Sequence, residues 1–233
     1  MTRFIVAAGK GGAGKTTLAL NLGTALAQMG RKTIVLDGSL ANPGIGLHLG
    51  IPAPEKHLHH VLSGFHRIHE ALHQHPSGMM VIPASIRTED MENVTVERLY
   101  DLKPLLHPLS EYVIIDSSPG FSRESLTALK MADEAVLLVH PELASVAEAM
   151  RLRRYAEQHG VRVLGSVLNQ VRGERHELTS MNIRQLLGTR ILASVPEDPA
   201  VRASLAYKQP VVYSHPGSDA AAAFKQLALV VHG

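Results

Sequence analysis

The stretch Gly9-Lys10-Gly11-Gly12-Ala13-Gly14-Lys15-Thr16-Thr17 fits the phosphate-binding pattern G-x-x-x-x-G-K-[ST]. Residues 3–8, which precede it, are typical of a buried strand, and residues 17–29, which follow it, are typical of an amphipathic helix. A strand, a glycine loop and a helix in this order aim backbone N–H groups and the positive end of a helix dipole at one point. The stretch therefore predicts a site for the phosphates of a nucleotide.

The residues of this loop have separate predicted tasks. Glycine lets the backbone approach a phosphate and adopt a positive φ, which a Cβ would prevent. Lys15 would neutralise charge on the β- and γ-phosphates, and the Thr16 hydroxyl would ligate Mg²⁺. The alternative is a chance match in a glycine-rich turn, and the flanking strand and helix argue against it.

Residues 10–16 read K-G-G-A-G-K-T. This segment resembles the K-G-G-x-G-K-T mark of the MinD/ParA family, the deviant Walker A ATPases within the SIMIBI class of P-loop proteins. In that family the additional lysine reaches across a nucleotide-sandwich dimer to the partner's phosphates. The resemblance covers nearly the whole chain, points to the archaeal MinD-like branch, and implies ATP or ADP and Mg²⁺ as ligands. It also implies a homodimer that forms through bound ATP, with Lys10 at the interface, although Lys10 could instead be a solvated loop lysine.

Two further apolar segments, residues 32–37 and 111–116, are typical of strands that end in an aspartate. The resemblance implies that Asp37 lies near Mg²⁺ or its waters and that Asp116 holds the Walker B position. The family carries D-x-D at the first of these strand ends, where this chain has Ser39 as the third residue. A serine hydroxyl can orient water but is a poor general base, so the departure bears on hydrolysis rather than on nucleotide binding. The alternative for both aspartates is a turn-capping role.

Residues 116–120 match the family's D-[ST]-x-x-G switch segment, in which Gly120 would donate its N–H to a γ-phosphate. Asn169 ends another predicted strand and by resemblance would hydrogen-bond the adenine, although asparagine is also an ordinary turn residue. The loop Pro196-Glu197-Asp198 would contact the edge of the base. Asp198 stands directly before a proline, and this order is equally typical of a helix N-cap.

The resemblance thus assigns three overlapping groups of site residues. The residues expected to take part in catalysis are Lys10, Lys15 and Asp37. The residues expected to hold Mg²⁺ are Thr16, Asp37 and Asp116. The residues expected to bind the nucleotide are Gly11, Gly12, Ala13, Gly14, Lys15, Thr16, Thr17, Gly120, Asn169, Pro196, Glu197 and Asp198.

Predicted strands and helices alternate along the chain, and acids stand at the ends of strands. This alternation is typical of a doubly wound, mostly parallel α/β sheet with its site at the carboxyl edge, and together with the glycine loop it predicts the P-loop NTPase fold. We expect a single ATPase domain over residues 1–233, because α/β domains of this length are common. Residues 94–107 are predicted to form one helix.

The tail, residues 218–233, is predicted to form a helix with one apolar stripe. The stripe consists of Phe224, Leu227, Ala228 and Val231. Bacterial MinD inserts a basic amphipathic tail helix into membrane, whereas Lys225 is the only Lys or Arg in this segment. Interfacial helices usually carry several basic residues, so we expect the tail to pack on the core rather than to attach to membrane.

Histidine is abundant, with 14 residues in the chain and seven of them between residues 57 and 75. Most would gain charge below about pH 6.5, so mild acidification should make the protein strongly basic. If residues 66–73 form a helix, His66, His69 and His73 share a face at a spacing that could hold a transition metal. Only Glu70 stands nearby as a further ligand, so a solvated helix face or a pH-responsive surface is the favoured interpretation.

Composition narrows the remaining possibilities. The chain has no cysteine, which excludes disulfides, thiolate metal sites and the iron–sulfur clusters that some members of this ATPase class carry. The net charge of +2 does not by itself indicate a nucleic-acid partner. The cluster Arg151, Arg153 and Arg154 leaves non-specific DNA binding open, but a solvated helix face is favoured. No apolar run approaches ~20 residues and no signal peptide is predicted, so we expect a cytoplasmic protein.

Three functions follow from these patterns. The first is an ATPase that acts as a dimerisation switch and recruits or positions an effector or cargo protein, as in cell division or cargo partitioning. The second is an ATP-binding dimeric scaffold that hydrolyses little, because Ser39 replaces the family's second acid. The third is a small-molecule enzyme that transfers phosphate to a carboxylate, in the manner of dethiobiotin synthetase, and Lys10 with its two following glycines argues against it. Nothing in the sequence names the cargo, because partner surfaces follow no local code.

Overall fold

Eight strands form one sheet in the computed structural model, which describes residues 1–92 and 94–233. The strands are β1 Arg3–Gly9, β2 Thr33–Gly38, β3 His73–Gln74, β4 Met80–Ile82, β5 Tyr112–Ser117, β6 Glu134–Val139, β7 Arg162–Val171 and β8 Ile191–Pro196. Their order across the sheet is β3-β4-β2-β5-β1-β6-β7-β8. Only the short β3 runs antiparallel to its neighbour; the other pairs are parallel. The prediction of a doubly wound, mostly parallel α/β sheet is therefore confirmed.

Helices cover the two faces of this sheet. The α-helices of the described residues are α1 Lys15–Gln28, α2 Ile45–Leu49, α3 Leu58–Leu62, α4 Leu102–Leu106, α5 Arg123–Met131, α6 Leu143–Gln158, α7 Ser180–Leu187, α8 Pro199–Ala206, α9 Val211–Ser214 and α10 Asp219–His232. The 3₁₀ helices are Ile68–Ala71, Thr88–Met91 and Val96–Asp101.

Strand β1 shows how the sequence fills both faces. Phe4 and Val6 pack into one apolar cluster, whereas Ile5 and Ala7 pack into another on the opposite face. Successive side chains of a strand point to opposite faces, and a strand buried on both sides is therefore apolar throughout. The apolar run before the glycine loop is thus explained by a central strand between two helical layers.

The order of the strands fixes where a ligand can bind. β1 pairs with β5 on one side and with β6 on the other. The segments that follow β5 and β6 therefore leave the sheet on either side of the carboxyl end of β1, which opens a crevice there. Ligands of open α/β sheets bind in the crevice at such a switch point. The loop from Gly9 to Gly14 follows β1 and therefore lies at this crevice.

The predicted continuous helix over residues 94–107 is wrong. The chain forms the 3₁₀ helix Val96–Asp101 and then the short α4, Leu102–Leu106. Pro104 explains the break, because proline lacks an N–H and its ring clashes with the carbonyl four residues earlier. Proline is tolerated in the first turn of an α-helix, which is where α4 places it.

The helix on which the shared face of His66, His69 and His73 depends does not form. His66 lies outside regular structure, His69 is in the 3₁₀ helix Ile68–Ala71, and His73 is in β3. Gly64, with a φ of 82°, follows the end of α3 in the left-handed conformation that terminates many helices. The three histidines therefore share no helix face, and the metal arrangement that the spacing indicated does not exist.

Several histidines are buried, and this corrects the expected response to acid. Burial lowers the pKa of His48, His59 and His75. Burial, together with the nearby His60, lowers the pKa of His57 to about 4. Because a buried imidazolium is costly, these four side chains stay neutral where an exposed histidine already gains charge. Mild acidification therefore adds less positive charge than the count of histidines predicts.

The tail helix α10 packs on α1 and β8, and its predicted apolar stripe is buried as expected. Ser218 caps the helix by accepting a hydrogen bond from the N–H of Ala221. Phe224, the largest member of the stripe, is 1% exposed. The tail is therefore part of the apolar core on this face of the sheet.

Among the described residues, none of the helices combines the length and hydropathy that crossing a membrane requires.

Candidate nucleotide-binding site

The glycine loop forms a tight cradle between β1 and α1. Gly12 and Gly14 have φ values of 78° and 93°, which only glycine adopts freely. A Cβ added at Gly14 would lie 2.5 Å from Nδ2 of Asn169, closer than any side chain allows. The N–H of Ala13 closes the turn by donating to the carbonyl of Lys10 at 3.1 Å. The loop thus requires glycine at the positions where its backbone would approach a phosphate.

Lys15 is buried at the base of this loop, with 7% of its surface exposed. Its ammonium donates to the backbone carbonyl of Lys10 at 3.1 Å. Burial lowers the pKa of Lys15, while Asp116 and Glu148 act in the opposite direction. A buried ammonium with one protein acceptor keeps donors for an anion, which is what a phosphate site needs.

Two buried aspartates lie side by side at the carboxyl ends of β2 and β5. Asp37 and Asp116 are register partners across these strands. Burial raises the pKa of Asp116 to about 6, and burial and the neighbouring Asp116 raise the pKa of Asp37 well above its usual range. The N–H groups of Ser39 and Ile45 donate to Asp37 at 3.3 and 3.2 Å and counteract this effect. Two adjacent buried carboxylates ionise together only with a compensating cation.

The residues present fit a magnesium ion. Thr16 Oγ1 donates to Oδ2 of Asp116 at 2.5 Å, so the predicted threonine and aspartate do come together. Oδ1 of Asp116 is buried and has no hydrogen-bond partner among the described residues. Hydroxyl and carboxylate oxygens are the ligands that Mg²⁺ prefers. The donor set and the unpartnered oxygen both match a divalent cation between the glycine loop and the two strand ends.

A carboxylate that the sequence analysis missed lies beside Ser39. Ser118 Oγ lies 2.9 Å from Ser39 Oγ, and Ser118 also donates to the carboxylate of Glu124. The other oxygen of Glu124 accepts from the N–H of Ala41 at 3.0 Å. Glu124 is therefore held against the loop that follows β2. The one signal in the sequence is an acid in the first turn of the helix that follows residues 116–120.

Lys10 differs from Lys15 in its exposure and in its partner. Its side chain is exposed and its ammonium lies 2.8 Å from Oε1 of Glu142. This ion pair raises the pKa of Lys10 and lowers that of Glu142. His140 Nε2, from the same segment, lies 3.2 Å from the carbonyl of Gly12. Glu142 is a second residue that sequence reasoning missed, since it carries no motif.

The residues predicted to contact the base surround one cavity next to the loop. Asn169 Nδ2 donates to the carbonyl of Ala13 at 2.7 Å, which ties β7 to the glycine loop. The cavity beside it is lined by Gly14, Thr17, Asn169, Pro196, Glu197 and Asp198.

The alternative role of Asp198 is also observed. Its Oδ1 accepts from the N–H of Ala200 as the N-cap of α8, and its Oδ2 accepts from the N–H of Ala220. Glu197 pairs with Arg172 and Arg202. Both acids are thus engaged with the protein, so backbone atoms are the free groups that this loop can offer to a base.

The remaining predicted residues lie around the same site. Gly120 has a φ of 67°. The segment that Gly120 ends lies close to the glycine loop, since a Cβ on Gly11 would lie 3.5 Å from Cβ of Pro119.

In the basic cluster of α6, Arg153 forms an ion pair with Glu157 and donates to the carbonyl of Leu187. Arg151 stacks on Phe121, with its guanidinium 4.6 Å from the ring centre. These contacts tie two of the three arginines to the protein.

Comparison with known proteins agrees with this geometry. Residues 4–211 match the family model described as the CobQ/CobB/MinD/ParA nucleotide binding domain. An uncharacterized ATP-binding protein of Methanocaldococcus jannaschii is 35% identical over 228 residues, which are 98% of this chain and 86% of that protein. The septum site-determining protein MinD of Synechocystis is 27% identical over 240 residues, which are 99% of this chain and 89% of that protein.

The structure of MinD from Pyrococcus horikoshii, solved in complex with Mg-ADP, superposes with a TM-score of 0.95 at 28% identity. The match covers 99% of this chain and 96% of that one. The resemblance that residues 10–16 indicated is therefore confirmed over nearly the full length. The chain belongs to the CobQ/CobB/MinD/ParA family of nucleotide-binding domains.

Proposed function

We propose that the protein binds ATP with Mg²⁺, dimerises face to face through the bound nucleotide, and hydrolyses ATP to return to the monomer. The observation that carries this proposal is the divergence of two lysines in one loop. Lys15 is buried and turned towards the backbone of Lys10, whereas the Lys10 ammonium stands outside, against Glu142. The same loop therefore provides the Lys15 ammonium for the nucleotide of its own subunit and the Lys10 ammonium for the nucleotide of a second subunit.

Within each subunit, the roles follow from the contacts described above. The loop N–H groups and Lys15 bind the phosphates, and Asn169 with the backbone of residues 196–198 binds the base. Thr16, Asp37 and Asp116 hold Mg²⁺, which supplies charge stabilisation to the developing negative charge. Lys10 of the second subunit adds to this stabilisation. The Mg-ADP complex of the Pyrococcus horikoshii relative supports this set of ligands.

The switch acts by presenting a different surface in each nucleotide state. We infer that the ATP-bound dimer recruits or positions an effector or cargo protein, and that hydrolysis releases it. The similarity to a septum site-determining protein favours a role of the cell-division or cargo-partitioning type.

The test of the switch is the molar mass by light scattering with ADP, with ATP and Mg²⁺, and with the Lys10→Ala variant. We expect a dimer with ATP and Mg²⁺ only, and a reduction of at least about tenfold in dimer affinity for Lys10→Ala, because each charge-assisted contact contributes about 1.5–3 kcal/mol. Lys32→Ala, which removes another exposed lysine far from the loop, is the matched control. If Lys10→Ala forms the dimer with unchanged affinity, Lys10 does not lie at the interface and the proposed switch is wrong.

The alternative function is an ATP-binding scaffold with little hydrolysis, and Ser39 is the observation that favours it. Glu124 argues for hydrolysis, because its carboxylate lies in one hydrogen-bonded group with Ser118 and Ser39. We infer that Glu124 supplies, through these hydroxyls, the negative charge that orients the attacking water. In this role Glu124 is a positioning residue and does not itself contact the nucleotide.

Glu124→Gln is expected to lower kcat by about 10- to 100-fold, while the Kd for the nucleotide changes little. This is less than the roughly 10²- to 10⁴-fold that a general base contributes directly, because Glu124 acts on the water only through the serine hydroxyls. The substitution keeps the size of the side chain and removes its charge, and it replaces one of the two accepting oxygens by a donating amide group. Single-turnover phosphate release measures the effect, and Glu55→Gln, at an exposed acid outside the group, is the control. Ser39→Asp, which restores an acid at the strand end, should raise turnover and should partly rescue Glu124→Gln. Equal rates in the wild type, Glu124→Gln, Ser39→Asp and the double variant would contradict the assignment and favour the scaffold.

A further inference from the structure

A second group of potential ligands lies outside the nucleotide site. His57 precedes α3 as its N-cap, and His60 follows it by one turn. Asp90 comes from the 3₁₀ helix Thr88–Met91. Nε2 of His57 lies 3.1 Å from Oδ2 of Asp90, and Nε2 of His60 lies 3.9 Å from Oδ1 of Asp90. Two imidazoles and one carboxylate from two separate segments thus converge on one point.

The group contains polar atoms that the protein leaves unsatisfied. His57 is 2% exposed, yet its Nδ1 has no hydrogen-bond partner among the described residues. The same holds for Nδ1 of His60. Buried polar atoms in folded proteins are nearly always paired, so an unpaired pair of ring nitrogens calls for a ligand. The two rings stack with centroids 3.7 Å apart.

The spacing of the ligand atoms suits a transition metal. One nitrogen or oxygen from each of the three side chains can be chosen so that all lie within 4.8 Å of one another. Ligands of a tetrahedral zinc ion, each about 2.0–2.1 Å from the metal, are separated by about 3.3 Å. Imidazole and carboxylate together suit Zn²⁺, and three protein ligands leave a fourth position open.

We propose that His57, His60 and Asp90 form a binding site for Zn²⁺ or a chemically similar divalent transition metal. On binding, the two imidazoles turn out of their stack so that each directs one nitrogen to the ion. A surface cavity at the group, lined by residues that include His66 and Glu89, gives the ion access and a fourth ligand from water or His66. The ring of His66 is already in edge contact with His60, at a centroid distance of 5.3 Å.

The position of this site gives the metal a structural consequence. His59 lies on α3 directly before His60 and is buried, and its Nε2 lies 3.2 Å from the carbonyl of Leu40, next to Ser39. The N–H of Ser85 donates to Nδ1 of His59 at 3.2 Å. A metal bound by His57, His60 and Asp90 would therefore link α3 to the 3₁₀ helix Thr88–Met91. Through His59 it would also stabilise the loop after β2. We expect metal binding to raise the melting temperature, because a ligand that binds only the folded state stabilises it.

The test is a zinc titration of the untagged full-length chain, freed of metal with a chelator and followed with a chromophoric zinc indicator in competition. We expect one equivalent of Zn²⁺ to bind, and His60→Gln and Asp90→Asn each to weaken it by more than about 100-fold, since even outer-shell partners contribute 10- to 100-fold. His69→Gln, an exposed histidine of the same segment, should bind as the wild type does. Circular dichroism confirms that each variant is folded.

Co²⁺ in place of Zn²⁺ supplies a second measurement that does not depend on affinity. A four-coordinate site should give intense visible absorption bands that His60→Gln removes and His69→Gln retains. Failure to bind one equivalent would overturn the proposal, as would equal binding by His60→Gln, Asp90→Asn and the wild type. An equal loss in His69→Gln would show diffuse binding by surface histidines and would also overturn it.

Discussion

Lys15→Ala is expected to weaken nucleotide binding by about 100-fold and to abolish hydrolysis, because several hydrogen bonds to a charged phosphate are lost at about 1.5–3 kcal/mol each. The ammonium is buried and has the Lys10 carbonyl as its protein acceptor, so its charge is directed to a ligand. The positive charge of Lys15 also lowers the pKa of Asp116, which burial raises to about 6, so its loss would raise that pKa further. The variant therefore impairs the phosphate site and the metal site together.

Titration with a fluorescent ADP analogue in the presence of Mg²⁺ measures the binding loss, and phosphate release measures the hydrolysis. Lys32→Ala is again the control, because it removes the same charge from an exposed position outside the site. Binding by Lys15→Ala within about threefold of the wild type, less than one such hydrogen bond is worth, would mean that the loop does not hold the phosphates.

Phe224→Ala is expected to destabilise the protein by about 3–5 kcal/mol, the usual cost of removing a buried phenyl ring from a core. Phe224 is 1% exposed and lies in the apolar cluster that the tail helix shares with α1 and β8. Urea denaturation followed by far-UV circular dichroism gives the free energy of unfolding; the chain has no tryptophan to report by fluorescence.

The matched control for this prediction is Leu229→Ala on the same helix. Leu229 is 55% exposed, so its loss should change stability by no more than about 0.5 kcal/mol. A large difference between the two variants would establish that α10 is held by its buried stripe. Equal small effects would mean that the tail helix leaves the core readily, and the interpretation of the tail as core packing would fail.

Much of the fold was predictable because its determinants are local. The apolar strands, the amphipathic helices and the glycine loop each follow from residues within about one turn or one strand of each other. The local pattern fails at Pro104. The apolar periodicity of residues 94–107 is that of one helix, but an α-helix tolerates proline only in its first turn, so α4 begins shortly before Pro104. The histidine-rich segment marks another limit, because Gly64 follows the end of α3 and the residues from His66 to His73 then form a 3₁₀ helix and the start of β3 instead of one α-helix.

By itself, the sequence determined the glycine loop and its lysines, the parallel sheet and the acids at its strand ends, since each is encoded in a short stretch. Only the tertiary structure decided which distant residues join them. Glu142 reaches Lys10 across 132 residues, and Ser118 reaches Ser39 across 79. His57, His60 and Asp90 meet only because two connections of the sheet pack together. Such contacts depend on the order of strands and the packing of loops, which no local pattern specifies.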